Sequence, residues 1–300
     1  MASFLQTSEW AAFKAKYGWQ VHRAEGIFIL SRKILFGRSL WYAPETELTD
    51  RDKISRLLTG IQTQAKADNA FAFRLETSVP YSTSLVDVLR EHGFKKSFES
   101  VQPEWRLVVD IRSVEEQIIS SMHQKGRYNI RVAERHGVVV EESPNLDTFY
   151  ALYQETAKRD RFSLRSEQYF QDFLHMVPGA TLFVASLNKI ALAAAMVVFY
   201  GDVASYLYGA SSARDRQVMA PYLLHWEIIK EAKRRGCLRY DLGEVPPVDQ
   251  PNHPLKGLGE FKMKFGGETI HLLGSWDKVF RPLWYNVFRV GEKLRRGFRA

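Results

Sequence analysis

The chain has 300 residues, of which 45% are hydrophobic and 25% are charged. This length suffices for two ordinary domains, and the composition excludes an intrinsically disordered chain. A single cysteine, Cys237, excludes an intramolecular disulfide and a CxxC site for a metal or a redox reaction. The formal net charge is +8, and residues 281–300 hold six basic side chains against one acidic one.

The first residues lack the basic and apolar segments of a secretory signal, so we expect a cytoplasmic protein. The longest apolar run, Ile190 to Tyr200, has eleven residues. A membrane-spanning helix needs about 20, so this run predicts a buried strand. We expect Cys237 to be a core residue and not a nucleophile.

The first half begins with β-rich runs that are broken at Glu25-Gly26 and at Phe36-Gly37-Arg38, which predicts a meander of strands. Apolar residues at helical spacing then predict a helix over Asp50 to Ala67, with Asp50 as its N-cap. A strand over Ala70 to Leu75 and a helix over Ser84 to His92 are expected to follow.

The second half repeats this order. Three strands are predicted between Thr181 and Ser212, followed by a helix from about Ala220 to Arg235 and a strand from Leu238 to Leu242. The helix-to-strand junctions align, with Ala65-Lys66 matching Ala232-Lys233. We therefore predict a duplicated α/β unit. Its first domain covers residues 1–144 and is completed by 279–300, the second covers 145–278, and the two connect near Pro144.

Two basic segments can be interpreted in more than one way. The C-terminal segment PLWYNVFRVGEKLRRGFRA has the composition of a basic amphipathic helix, which either lies on an anionic membrane or packs its apolar face on the protein body. The segment from His123 to His136 either contacts phosphates of RNA or a nucleotide, or is a solvated helix face.

A meander followed by a helix and a strand resembles the GCN5-related N-acyltransferase (GNAT) fold. The expected fold class is α/β (α+β), with two tandem GNAT-like domains, mixed and largely antiparallel sheets, and a C-terminal helix that returns to the first domain. In cofactor-using members a glycine-containing turn opens the helix and holds the coenzyme A pyrophosphate. Here Pro221 lacks an N–H, and Ala220 and Tyr222 replace glycines, so an acetyl-CoA-type donor is disfavoured.

Two stretches of the second half carry a more specific resemblance: HWEIIKEAKRRGCLRYDLG, from His225, and GLGEFKMKFGGE, from Gly257. Together with Phe4–Trp10, the basic segment Lys125–Ala133 and the segment Gly274–Val279, they resemble the FemABX family. Its members transfer amino acids from aminoacyl-tRNA to peptidoglycan precursors and consist of two GNAT-like domains. The chain leaves no room for the helical-hairpin arm of some members, so it resembles a compact, FemX-like member.

The resemblance implies that an amine of the stem peptide attacks the ester carbonyl of aminoacyl-tRNA. Lys262 would stabilise the resulting oxyanion or the tRNA leaving group, as a fixed cation can. Phe261 would shape the acceptor channel. Glu76, at a strand end, is a candidate general base; a cap or an ion-pair partner is the alternative role for such a carboxylate.

The resemblance also implies binding residues. Lys14 and Arg165 would hold the diphosphate of a UDP-linked or lipid-linked muropeptide. Tyr169 and Tyr208 would line the peptide channel. Lys125, Arg127 and Arg131 would contact the tRNA. No cofactor and no metal are implied, and DNA is not an expected partner. From its composition, the C-terminal helix is a candidate for peripheral contact with the inner face of the membrane.

Two other functions remain open from the sequence. One is a GNAT-like N-acyltransferase that uses another acyl donor in polysaccharide or lipid modification. The other is a non-catalytic module that binds tRNA or a membrane, for which Lys262→Ala would leave function unchanged.

Overall fold

The computed structural model describes residues 3–143, 145–250 and 252–297. Pro144, the predicted connection between the halves, lies outside the described residues, as do Arg299 and the side chain of Arg296. The chain forms two compact units, Met1–Glu104 with His271–Ala300, and Trp105–Ile270. The limits of these units differ from the predicted domain limits at 144/145 and 278/279.

The helices are α1 (Ser8–Lys16), α2 (Arg51–Ala67), α3 (Thr83–Glu91), α4 (Glu115–Ser121), α5 (Gln124–Arg135), α6 (Leu146–Asp160), α7 (Glu167–Met176), α8 (Ala220–Arg234), α9 (Lys256–Lys262) and α10 (Pro282–Gly297). The strands are β1 (Gln20–Ala24), β2 (Ile27–Leu35), β3 (Arg38–Thr46), β4 (Ala72–Pro80), β5 (Phe94–Lys96), β6 (Trp105–Asp110), β7 (Val139–Glu142), β8 (Ala180–Leu187), β9 (Ile190–Tyr200), β10 (Val203–Ser211), β11 (Arg239–Glu244) and β12 (Glu268–Val279). Short 3-10 helices lie at Phe4–Gln6, Arg216–Val218 and Met263–Phe265.

The first unit contains the predicted meander. Strands β1, β2 and β3 pair antiparallel, and the turns between them fall at the predicted breaks. Helix α2 then begins after Asp50, whose carboxylate accepts a hydrogen bond from the Lys53 amide at 2.9 Å. Strand β4 runs parallel to β3, β12 pairs antiparallel with β4, and β5 pairs with β12. The apolar face of α2 packs against this sheet, as its spacing predicts.

The second unit repeats this arrangement. Strands β8, β9 and β10 form an antiparallel meander, α8 follows, and β11 runs parallel to β10. The apolar run that forms β9 is buried, as predicted. Strand β6 pairs antiparallel with β11, which is why residues after 104 belong to this unit, and β7 pairs with β8. The same order of meander, helix and parallel strand in both units confirms the duplicated fold.

Cys237 is buried as expected and lies in the connection between α8 and β11. Among the described helices, none combines the length and the apolar composition that crossing a bilayer requires.

Candidate active site

Lys262 is the last residue of α9, and its side chain is buried although it carries an ammonium group. The residue is 4% exposed, and Nζ donates a hydrogen bond to the backbone carbonyl oxygen of Glu244 at 2.7 Å. Burial lowers the pKa of Lys262 to about 8, against the opposite effect of the charges on Asp241 and Glu244. Within the described residues Nζ makes this one hydrogen bond, so two of its three N–H groups remain for a bound anionic oxygen.

Aromatic rings cluster around Phe261, the residue that precedes this lysine. Phe261 is half-buried, and its ring centroid lies 5.0–5.5 Å from those of Tyr222, His225 and Phe265. His225 Nδ1 and the Tyr240 hydroxyl are hydrogen-bonded at 2.7 Å. Burial, together with the positive charge of Lys262, lowers the pKa of His225 to about 3. His225 is therefore neutral at pH 7 and adds no second positive charge beside Lys262.

A β-bulge in β10 separates two tyrosines that would share a face of a regular strand. Tyr206 pairs with Val197 and Tyr208 with Met196, so the pairing slips by one residue between them. Tyr206 faces α8, with Lys262 Nζ 5.8 Å from its ring centroid. Tyr208 faces α7 instead, and its ring centroid lies 5.1 Å from that of Phe170.

Three predicted acceptor-binding residues lie together on the α7 side of β10. The hydroxyls of Tyr169 and Tyr208 are 3.2 Å apart. The Arg165 guanidinium is exposed and lies 4.5 Å from the Tyr169 ring centroid, a cation–π contact that orients it. The structure therefore brings Arg165, Tyr169 and Tyr208 together, on the opposite face of β10 from Lys262.

Helix α5 carries the residues predicted to contact tRNA. Lys125 and Arg131 are exposed, and so is Tyr128, which lies on the same face as Arg131. Arg127 is half-buried and donates hydrogen bonds to the carbonyl oxygens of Ser120, at 3.0 Å, and Met122. Arg127 thus caps the end of α4, a role that its place in the basic segment did not indicate.

A close backbone contact joins α5 to the segment that bears Lys262. The His123 amide donates to the Lys264 carbonyl oxygen at 3.2 Å. A Cβ atom at Gly126 would overlap the same carbonyl group, so only glycine permits this approach. The basic helix is therefore held directly against the turn that follows Lys262.

Lys14 lies in the first unit, on α1. Its ammonium is half-buried between two indole rings, 5.5 Å from the Trp10 centroid and 5.2 Å from the Trp19 centroid. The Arg32 guanidinium lies 6.0 Å from the Trp19 centroid. Two cations are thus held around one tryptophan, which suits a multiply charged anion such as a diphosphate.

Glu76 lies in the first unit on β4 and is 2% exposed. Its carboxylate accepts hydrogen bonds from the amides of Val101 and Gln102, at 2.6 and 3.0 Å, and from the hydroxyls of Tyr42 and Ser275. Burial raises the pKa of Glu76, and these hydrogen bonds oppose the rise. Four donors around one carboxylate indicate a structural role, and they argue against the predicted general base.

Glu76→Gln is therefore expected to lower the free energy of unfolding by about 1–3 kcal/mol, because the amide nitrogen of glutamine would face donors. Denaturant unfolding measures this loss. A variant as stable as the wild type that has lost its activity would instead support the role of general base.

The start of α8 does not offer the amide cradle of cofactor-using GNAT proteins. Pro221 lies in the first turn and has no N–H, and the Tyr222 amide donates to the Met219 carbonyl oxygen at 2.9 Å. Of two backbone N–H groups that could point at a pyrophosphate, one is missing at Pro221 and the other, of Tyr222, is already hydrogen-bonded. This disfavours a coenzyme A donor.

The two units together have the architecture of a tandem GNAT-like protein. Each unit has the strand, helix and strand order of a GNAT-like domain, and a tandem GNAT protein from the clavulanic acid biosynthesis pathway has a similar structure (TM-score 0.51, 12% identity, 87% of this chain and 83% of that chain). The FemAB family model matches residues 82–189 and 183–293, so the chain belongs to the FemAB family.

Individual relatives agree with this assignment. Lipid II:glycine glycyltransferases of Staphylococcus aureus and Staphylococcus haemolyticus are 24% identical, over 97% of this chain and 92% of theirs. The alignment with the S. aureus protein spans 386 positions, more than the 300 residues of this chain, so that relative carries insertions absent here. A crystal structure of FemX matches with a TM-score of 0.86 at 22% identity, over 95% of this chain and 94% of that one. The predicted family and the compact form are confirmed.

Sequence reasoning missed three residues of these sites. His225 and Tyr240 are fifteen positions apart, on α8 and β11, and nothing in their spacing indicated a hydrogen bond. Tyr128 lies within the basic segment, and an aromatic residue between cations is a signal that could have singled it out.

Proposed function

We propose that the protein is an aminoacyltransferase that moves an amino acid from aminoacyl-tRNA to the side-chain amine of a peptidoglycan stem peptide. Membership of the FemAB family and the named activity of the staphylococcal relatives support this reaction class. The observation that carries the proposal is the buried ammonium of Lys262, two of whose N–H groups have no hydrogen-bond partner among the described residues. Such a group is suited to the oxyanion that forms when an amine attacks an ester.

The acceptor is a muropeptide, with lipid II favoured by the names of the relatives. Lys14 and Arg165 are the proposed diphosphate ligands, each held in place by aromatic rings. Tyr169 and Tyr208 face the other side of β10 from Lys262, so they are proposed to contact a part of the muropeptide that lies away from the reacting amine. The reaction would take place in the cytoplasm at the inner face of the membrane, where lipid-linked precursors and charged tRNA are both accessible.

The donor tRNA is proposed to bind along α5. Lys125, Tyr128 and Arg131 are exposed there, and the contact of Gly126 with Lys264 holds this helix beside the segment of Lys262. A phosphate backbone on the exposed cations would place the aminoacylated end near the lysine.

The deciding experiment measures transfer of radiolabelled amino acids from a pool of charged tRNA to UDP-linked and lipid-linked muropeptides. We expect label in a muropeptide, and no label when the charged tRNA is digested with RNase before the reaction. If no label reaches either acceptor, the proposal fails, and an acyltransferase with another donor or a non-catalytic binding module takes its place.

The proposed binding of tRNA along α5 gives a separate prediction. Arg131→Ala is expected to weaken tRNA binding roughly threefold to tenfold and to reduce the slope of its salt dependence by about 1. Tyr128→Ala should weaken binding with little change in that slope, because stacking is not ionic. Filter binding at several salt concentrations measures both effects.

Lys189→Ala is the matched control, since it removes an exposed cation from the β8–β9 turn of the same unit. Equal losses for Lys189→Ala and Arg131→Ala would show that net charge, and not α5, governs tRNA binding.

A further inference from the structure

Helix α10 has apolar side chains on two faces, and within the part of the chain that the structure describes only one of these faces packs on the protein. Phe288 is 5% exposed, with its ring centroid 5.3 Å from that of Phe71. The other face carries four apolar residues that are spaced by four, three and four positions and therefore form one stripe. They are Leu283, Val287, Val290 and Leu294, which are 71%, 43%, 54% and 59% exposed.

A second exposed apolar element lies beside the start of this helix. Phe36 is at the tip of the β2–β3 hairpin and is 85% exposed. Its ring centroid is 5.7 Å from that of Trp284 on α10, and the Arg38 guanidinium is 4.4 Å from the same indole. Trp284 thus joins the hairpin tip to the helix. We call Phe36 and the four-residue stripe, with the cations around them, the hairpin–helix surface.

Cations accompany the helix and its contact with the hairpin. Arg289 and Lys293 are exposed on α10, and the Arg38 guanidinium lies against Trp284. The acid within the helix, Glu292, is paired with Arg295 at 2.5 Å. Apolar side chains together with cations are complementary to a bilayer of anionic phospholipid, in which acyl chains lie beneath negative headgroups.

We infer that the hairpin–helix surface docks the first unit on an anionic phospholipid bilayer, with α10 lying in the headgroup region and Phe36 inserted as a second anchor. This inference deepens the membrane contact of the proposed function. The apolar stripe sets which side of α10 meets the bilayer. A second anchor, joined to the helix through Trp284, restricts how the unit can tilt about that helix. The proposed lipid-linked acceptor would then meet a protein of fixed orientation.

The test is sedimentation of the full chain with vesicles of phosphatidylcholine, alone or mixed with phosphatidylglycerol. We expect binding to the mixed vesicles only, weakened by salt. Phe36→Ser and the double change Leu283→Ser and Leu294→Ser should each weaken binding about tenfold, because each removes apolar area from the interface. All three residues are exposed, so circular dichroism should be unchanged. Val139→Ser, at a residue 62% exposed in the second unit, is the matched control.

Three results would overturn the inference: variants that bind vesicles as the wild type does, an equal loss for Val139→Ser, or a dimer in solution that the Leu283 and Leu294 changes dissociate. The last would assign the stripe to a second copy of the chain.

Transfer assays separate the membrane-docking inference from the proposed function. Surface variants should lose transfer to lipid-linked muropeptide but keep transfer to the UDP-linked form. Vesicle binding without any transfer activity would contradict the proposed function and leave the membrane surface standing.

Discussion

Replacing Lys262 with methionine is expected to lower kcat for aminoacyl transfer by about 10²–10³-fold, the usual effect of removing one donor to an oxyanion. The fold should survive. A buried ammonium that is replaced by an apolar chain of similar size removes a desolvation cost, so the thermal unfolding midpoint should stay the same or rise. Single-turnover transfer and thermal unfolding measure the two effects.

Lys256→Met is the matched control, because this lysine is exposed at the start of the same helix. Its transfer rate should equal that of the wild type. If Lys262→Met kept its activity, the lysine would not be catalytic, and the non-catalytic alternative would gain support.

The pH dependence gives an independent check on the charge of Lys262. Since burial lowers its pKa to about 8, the cation is present below that pH and is lost above it. Transfer should therefore decline as the pH rises through about 8. In Lys262→Arg, which stays charged, the remaining activity should lack this decline. An identical alkaline limb in that variant would assign the titration to another group.

Arg74→Met is expected to lower the free energy of unfolding by about 3–5 kcal/mol, because it leaves buried carboxylates without their cation. Arg74 is 1% exposed and pairs with Asp277 at 2.8 Å and with Glu99 at 2.9 Å. Burial alone would lower the pKa of this guanidinium, but the two carboxylates raise it above its usual value. Arg74 and Asp277 are opposite each other on β4 and β12, so the pair also fixes the register of these strands.

Denaturant unfolding measures this loss, with Arg51→Met as the control. Arg51 pairs with Glu91 at 2.5 Å in the same unit, but both side chains are at least half exposed, so little change is expected. Adding Asp277→Asn to Arg74→Met should restore part of the stability, since it removes the buried negative charge that Arg74→Met leaves without a cation. Equal losses from Arg74→Met and Arg51→Met would contradict this account of the pair.

Local patterns determined much of this protein by themselves. The turns at Glu25-Gly26 and Phe36-Gly37, the Asp50 cap and the apolar spacing of α2 are set by residues a few positions apart, so their structure could be predicted. The duplicated order of elements followed from the same signals. The stretch around Lys262 is contiguous in the chain, so its resemblance to the family is visible in the amino-acid sequence alone.

Contacts between distant segments were decided only by the tertiary structure. A single bulge sends Tyr206 and Tyr208 to opposite faces, and no sequence signal marks the slip. The Glu76 carboxylate accepts hydrogen bonds from three other segments, and Arg127 donates a hydrogen bond to a carbonyl oxygen at the end of α4. Residues 105–143 join the second unit because β6 pairs with β11, which lies more than 120 residues further along the chain. Such pairings depend on which strands and helices meet, whereas propensity and spacing report only on near neighbours in the sequence.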